Sequence, residues 1–104
     1  LNVPLEAGAD DDDYKRALCD AIAPAIEKFA PEMILVSAGY DPHRDDPLGG
    51  MRVSTAGFKS IMETLLSLAK LTCGGKLAVT LEGGYNIKAE RDAVEVQLEA
   101  MAAG

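Results

Sequence analysis

The 104-residue sequence has one histidine, two cysteines and no tryptophan, and each scarcity removes a class of chemistry. A single imidazole excludes an HExxH zinc helix, which needs two, and no G-x-S-x-G nucleophile elbow is present. Cys19 and Cys73 stand far apart without a CxxC-type neighbour, so neither a zinc knuckle nor a disulfide framework is indicated. The expectation is two buried, reduced thiols in a cytoplasmic protein. Basic residues are scarce as well. Ten Lys and Arg face 17 Asp and Glu, for a formal net charge of −7. With no cationic cluster to neutralise a phosphate backbone, no nucleic-acid partner is expected. No uninterrupted apolar run is longer than Met33 to Val36, too short to span a bilayer, and nothing resembles a signal peptide, so no membrane partner is expected.

At 48% hydrophobic and 26% charged, the chain reads as one small soluble globular domain. It begins without Met, in mid-pattern, at Leu1-Asn2-Val3-Pro4-Leu5, and the expectation is that something upstream is missing. After that extended stretch, the acidic run Asp10 to Asp13 suits a helix start, where carboxylates meet free N–H groups and the positive end of the dipole. Tyr14, Leu18, Ile22, Ile26 and Phe29 then repeat at helical spacing. Pro24 lies inside that pattern and should bend the helix. Pro31 closes it.

Met33 to Gly39 reads as a strand covered on both faces, since its apolar character is nearly continuous. The loop from Tyr40 to Val53 is long for a βα connection, and such loops tend to carry function. A second helix is expected from the N-cap Ser54 to Thr72, with Phe58, Ile61, Met62, Leu65, Leu68 and Ala69 on one face and Gly74-Gly75 ending it. Lys76 to Leu81 reads as a second buried strand, Glu82 to Asn86 as a loop and Ile87 to Ala103 as a last helix. With Leu1 to Leu5 as a first strand, the pattern is βαβαβα, which gives parallel strands with helical crossovers. Ligands in such sheets sit beyond the carboxyl ends of the strands. The loops Tyr40 to Gly50 and Glu82 to Asn86 both leave carboxyl ends and should face one crevice.

"LVSAGYDPHRDDPLGG", Leu35 to Gly50, is the densest chemistry in the chain. Asp41-x-His43 has the spacing of a metal-ligand pair. A calcium loop beginning at Asp41 fails, because its sixth position is Asp46 where glycine is needed and its twelfth is Arg52 where a bidentate Glu is needed. The loop Glu82-Gly83-Gly84-Tyr85 could admit a phosphate at the next helix, yet GxxxxGK[ST] and GxGxxG are both absent. On the residues alone, Asp45, Asp46 and Pro47 are also good turn formers and Tyr85 a plausible rim residue.

Taken in order, "NVPL" (Asn2 to Leu5), "LVSAGYDPHRDDPLGG" and "LEGGYN" (Leu81 to Asn86) resemble the C-terminal part of the zinc-dependent histone deacetylase superfamily. The likeness is to its class II and bacterial branch, with acetylpolyamine amidohydrolases and acetoin-utilisation proteins, and it covers essentially all of residues 1–104. It implies a three-layer αβα, arginase-like fold with a parallel sheet, present here only in part. It also implies hydrolysis of the linear amide bond of acetylated amines, acetyl-lysine or acetylpolyamine, with one catalytic zinc. Asp41, in "SAGYD", falls on a zinc-ligand position, whereas His43 falls on a loop position that is no ligand, with a rim or turn-stabilising role. Tyr85 falls on the catalytic tyrosine that donates to the oxyanion. Leu48 and Gly49 would line the substrate channel, Gly83 and Gly84 would admit its close approach, and Asp46 would hold the loop around Asp41.

The family's upstream Asp-x-His ligands and His-His pair are absent from this sequence. A catalytic zinc takes three protein ligands, so the chain alone is expected not to hydrolyse amides, and whether it holds the parent family's zinc is left open by the sequence. It would be an excised fragment, a truncated product or a piece completing a site with another chain. The competing expectation is an inactive truncated module acting in binding or self-assembly, and self-association is expected of either. A phosphate site at Gly83-Gly84 is a third.

Overall fold

The computed structural model describes residues 1–104. Its elements are α1 (Asp11–Arg16), a π-helical stretch (Ala17–Ile22), α2 (Ala23–Phe29), β1 (Ile34–Ala38), α3 (Thr55–Cys73), β2 (Leu77–Leu81) and α4 (Ile87–Ala103). Asp10 starts α1 through a capping box, its side chain accepting from the Asp13 amide while the Asp13 carboxylate accepts from the Asp10 amide, which satisfies two of the helix's free donors. The expected bend at Pro24 takes a different form. The coil widens to π-helical register over Ala17–Ile22 and continues through right-handed Ile22 and Ala23 into α2, with Pro24 in its first turn, where Pro24, having no N–H, gives no bond to the preceding turn. α2 ends at Ala30, which is left-handed at φ 53°, before Pro31. Phe29, expected on the buried face, is 80% exposed, and Cys19, expected to be buried, is exposed.

β1 and β2 pair in parallel from Ile34 opposite Leu77 to Ala38 opposite Leu81. These two strands make up the sheet. Leu1 to Leu5, expected as a first strand, forms none, because no third strand lies beside it. The chain from Gly8 onward is instead tied to the 50s, the Gly8 amide donating to Gly50 O at 2.8 Å and the Arg52 amide to Ala9 O at 2.8 Å.

Side chains alternate across a strand, and here the alternation decides the layering. Ile34, Val36 and Ala38 of β1, with Leu77 and Val79 of β2, pack against Phe58, Leu68, Ala69 and Cys73 of α3 and Ala93 and Val94 of α4. Ala23 and Ile26 join them from the first helical segment. On the opposite face Leu35 is 74% exposed and Ser37 and Thr80 are exposed too. Of the αβα arrangement the chain therefore builds the sheet and one helical layer. The strands expected to be covered on both faces are covered on one, since the helices all lie on the same side.

α3 buries Gly57, Phe58, Met62, Leu65, Leu68, Ala69 and Cys73, one stripe at helical spacing. α4 buries Gln97 together with Ala89, Ala93 and Ala100, and these alanines are small enough to let the two helices approach. Gln97 is buried without loss, because Tyr40 Oη donates to its Oε1 at 2.7 Å and its Nε2 donates to Phe58 O at 3.3 Å. No helix is long and apolar enough to cross a membrane.

Ser54 caps α3 by accepting from the Gly57 amide at 3.0 Å. Its own amide and hydroxyl donate to Asp11 at 2.7 and 2.5 Å, which pins the start of α1 to the start of α3. Ser54→Ala removes the cap and the hydroxyl half of the pin, leaves the backbone amide bond to Asp11, and is expected to destabilise the protein by about 1–2 kcal/mol, read as a lowered midpoint in urea unfolding.

Candidate active site

Both loops leave the carboxyl ends of the paired strands, and backbone bonds continue the pairing past them. The Glu82 amide donates to Ala38 O at 2.9 Å and the Tyr40 amide to Gly83 O at 2.8 Å. That extension brings Asp41 beside the glycine loop. A Cβ built on Gly83 would stand 3.2 Å from Asp41 Oδ2, and one built on Gly39 would stand 3.0 Å from Asp41 Oδ1. The half-buried Asp41 carboxylate therefore lies between two glycines, and side chains there would crowd it.

Gly49, expected to line a channel, lies against the backbone of Asp41. A Cβ there would stand 1.7 Å from the Asp41 carbonyl oxygen, so only glycine fits. Leu48 next to it is 70% exposed. Gly84 has φ +141°, and a Cβ on it would meet Tyr40 Cβ at 3.2 Å and Glu90 at 3.1 Å. Tyr85 follows and is 58% exposed. Asn86 closes the loop by capping α4, its Oδ1 accepting from the Ala89 amide at 3.0 Å while its Nδ2 donates to Asp45 O at 3.0 Å.

Asp46 connects the two loops. Its Oδ1 accepts from the Leu48 and Gly49 amides at 2.8 and 3.0 Å, and its Oδ2 accepts from the Tyr85 amide at 2.8 Å. Partial desolvation pushes the Asp46 carboxyl up, but the N–H groups of Tyr85, Leu48, Gly49 and Asn86 outweigh it and hold the group below the ordinary aspartate value.

His43 points inward. It is 3% exposed and lies parallel to Phe58, with ring centroids 6.1 Å apart and planes 8° apart. The Asp45 amide donates to its Nδ1 at 3.1 Å, so Nδ1 is the acceptor, and Nε2 then carries the proton it offers to Thr55 Oγ1 at 3.0 Å. Both nitrogens are engaged. The residue is no metal ligand in this arrangement, and it sits in the core of the loop instead of on a rim.

Sequence reading missed two contributors. Tyr14 read as an apolar helix residue, yet its phenol feels Asp41. Burial raises its pKa above the ordinary tyrosine value, and the Asp41 charge adds to the rise. Thr55 read only as helix start, and it is the partner of His43. Their separation along the chain left no local signal for either.

The donors present fit one ligand position for zinc and not a centre. No group of three or more His, Cys, Asp or Glu side chains is placed to hold a metal ion, and a catalytic zinc takes three protein ligands. A groove of about 750 Å³ runs along α4 past Leu81, Ile87, Val94 and Leu98, and neither Asp41 nor Tyr85 lines it.

The sequence model of the Histone deacetylase domain matches residues 1–101. The chain is 39% identical over 101 residues to Histone deacetylase 14, chloroplastic, of Arabidopsis thaliana, covering 97% of this chain and 24% of that protein. It is 37% identical over 86 residues to the Histone deacetylase-like amidohydrolase of Pseudomonas aeruginosa, covering 83% of this chain and 23% of that protein. Among solved structures, the crystal structure of the HDA15 HD domain superposes with a TM-score of 0.85 at 34% identity, over 92% of this chain and 26% of that one. The chain thus spans roughly a quarter of the length of these proteins.

The folded protein holds Asp46 below its unfolded value of ~3.9. Its contribution to stability is therefore complete above the unfolded value and is lost as pH falls through the lower folded one. A carboxyl-carbon NMR titration is expected to place the Asp46 midpoint below ~3.9, and a midpoint at or above it would remove the account of this loop.

Proposed function

The chain belongs to the histone deacetylase family, and from that membership we propose that it contributes Asp41 and Tyr85 to an amidohydrolase site acting on acetylated amines. The family is zinc-dependent. In this reading Asp41 is one ligand, the others come from residues outside these 104, and no metal-dependent step belongs to this chain by itself. The observation that carries the reading is the convergence of the two loops, with the Asp41 carboxylate against Gly83 and the Tyr85 amide bound to Asp46.

The chain's own share of the chemistry follows from these groups. The phenol of Tyr85 is exposed and free to donate its O–H to the oxygen on which negative charge develops as an acetyl amide is attacked. Such a donor acts more strongly in the transition state than in the ground state, which is what accelerates a reaction. Gly39 and Gly83 leave the Asp41 carboxylate uncrowded. Acetyl-lysine and acetylpolyamine both present the same amide to these groups.

We also propose that the isolated chain self-associates. Both strands are edge strands, one sheet face carries the 74% exposed Leu35, and unpaired edges recruit further strands. Sedimentation is expected to show mass rising with concentration, and a monomer throughout would sink this part.

The catalytic proposal is tested by grafting. The 104 residues replace the matching segment of the Pseudomonas aeruginosa amidohydrolase, and zinc content and hydrolysis of an acetyl-lysine peptide are measured. The graft is expected to bind zinc and to hydrolyse the peptide. Asp41→Asn should lose the metal, and Tyr85→Phe should keep it while kcat falls by about 10²-fold or more. An active graft indifferent to Tyr85→Phe would refute the role given to that residue.

A further inference from the structure

The bonds to Asp46 divide between two tasks. Oδ1 receives the Leu48 and Gly49 amides and shapes its own turn. Through that turn Gly49 is held against the Asp41 carbonyl, at a distance where a Cβ would stand 1.7 Å from the oxygen. Oδ2 receives the Tyr85 amide from 39 residues further along the chain. Tyr85 is 58% exposed, so packing does little to orient it. Its loop is held before it at Gly83 and after it at Asn86, and between those points the Asp46 bond fixes its backbone to the other loop.

We propose that Asp46 is a positioning residue, one carboxylate that sets Tyr85 against Asp41 by holding the turn around Asp41 with one oxygen and the Tyr85 backbone with the other. The inference rests on the reading of Tyr85 as the oxyanion donor. The physical basis is that amide bonds to an ionised carboxylate are among the stronger hydrogen bonds, and that a misplacement of about 1 Å in a catalytic group can cost about 10²-fold in rate. Asp45 reinforces the junction by accepting from Asn86 Nδ2, but that bond uses a backbone carbonyl and survives any side-chain change at position 46.

The two oxygens can be separated experimentally. Asp46→Asn keeps one oxygen for Leu48 and Gly49 and turns an NH2 group toward the Tyr85 amide, donor against donor. Hydrogen exchange of backbone amides is measured by NMR on the whole 104-residue chain. Asp46→Asn is expected to speed exchange at Tyr85 by about tenfold or more while Leu48, Gly49 and the α3 core amides keep their protection. Unchanged exchange at Tyr85, or an equal rise at all three loop amides, would overturn the proposal by making Asp46 a former of its own turn and nothing more.

Kinetics on the graft described above supply a readout that simple loss of stability would not move. Asp46→Asn should lower kcat with KM little changed, and should add little to the loss caused by Tyr85→Phe, since both act through one phenol. Additive losses in the double variant would overturn the proposal. An inactive graft would instead count against the deacetylase reading, and the exchange comparison would decide the role of Asp46 alone.

Discussion

The parallel pairing of β1 with β2 is the constraint on which the rest depends. Parallel neighbours cannot be joined by a tight turn, so the chain must travel from the end of one strand back to the start of the other. The long α3 makes that journey and packs across the sheet face it passes. The same pairing sends both loops out of the same end of the sheet. Bonds from Glu82 to Ala38 and from Tyr40 to Gly83 carry the register past the last paired residues, and through them the Asp41 carboxylate meets Gly83. A register slip of one residue would reverse the faces of a whole strand and separate these groups.

The loop from Tyr40 to Val53 is shaped from the inside. His43 occupies its interior with both ring nitrogens bonded and its plane against Phe58. Val53, which is fully buried, receives the Arg44 amide on its carbonyl and gives its own amide to Pro42. Asp46 occupies the outer side and gathers amides from both loops. The one imidazole of the chain is thus spent on architecture, and acidic groups hold the exposed side. This arrangement explains how two irregular loops can present a carboxylate and a phenol at fixed places beyond the ends of the paired strands.

Family membership and the bare sheet face belong to the same picture. The chain spans roughly a quarter of the length of the deacetylases it matches, and it brings one helical layer and two strands. On the bare face Leu35 is apolar while Ser37 and Thr80 are polar.

The sequence by itself determined the local structure and the family. Ser54 as N-cap, Gly74 as the left-handed end of α3, Asn86 before α4 and the limits of both long helices follow from short-range chemistry, and the order of three motifs was enough to identify the deacetylase likeness. Tertiary structure alone decided the rest, because those outcomes rest on partners distant in the chain. Leu1 to Leu5 had strand character but no neighbour to pair with. The π-helical register over Ala17–Ile22 and the exposure of Phe29 and Cys19 had no local signal in the sequence. Gln97 is buried because Tyr40 and Phe58 supply its partners, and Asp46 read as a turn former until Tyr85 was brought to its second oxygen. Hydrogen-bond capacity is written into a residue, but the choice of partner is made by packing.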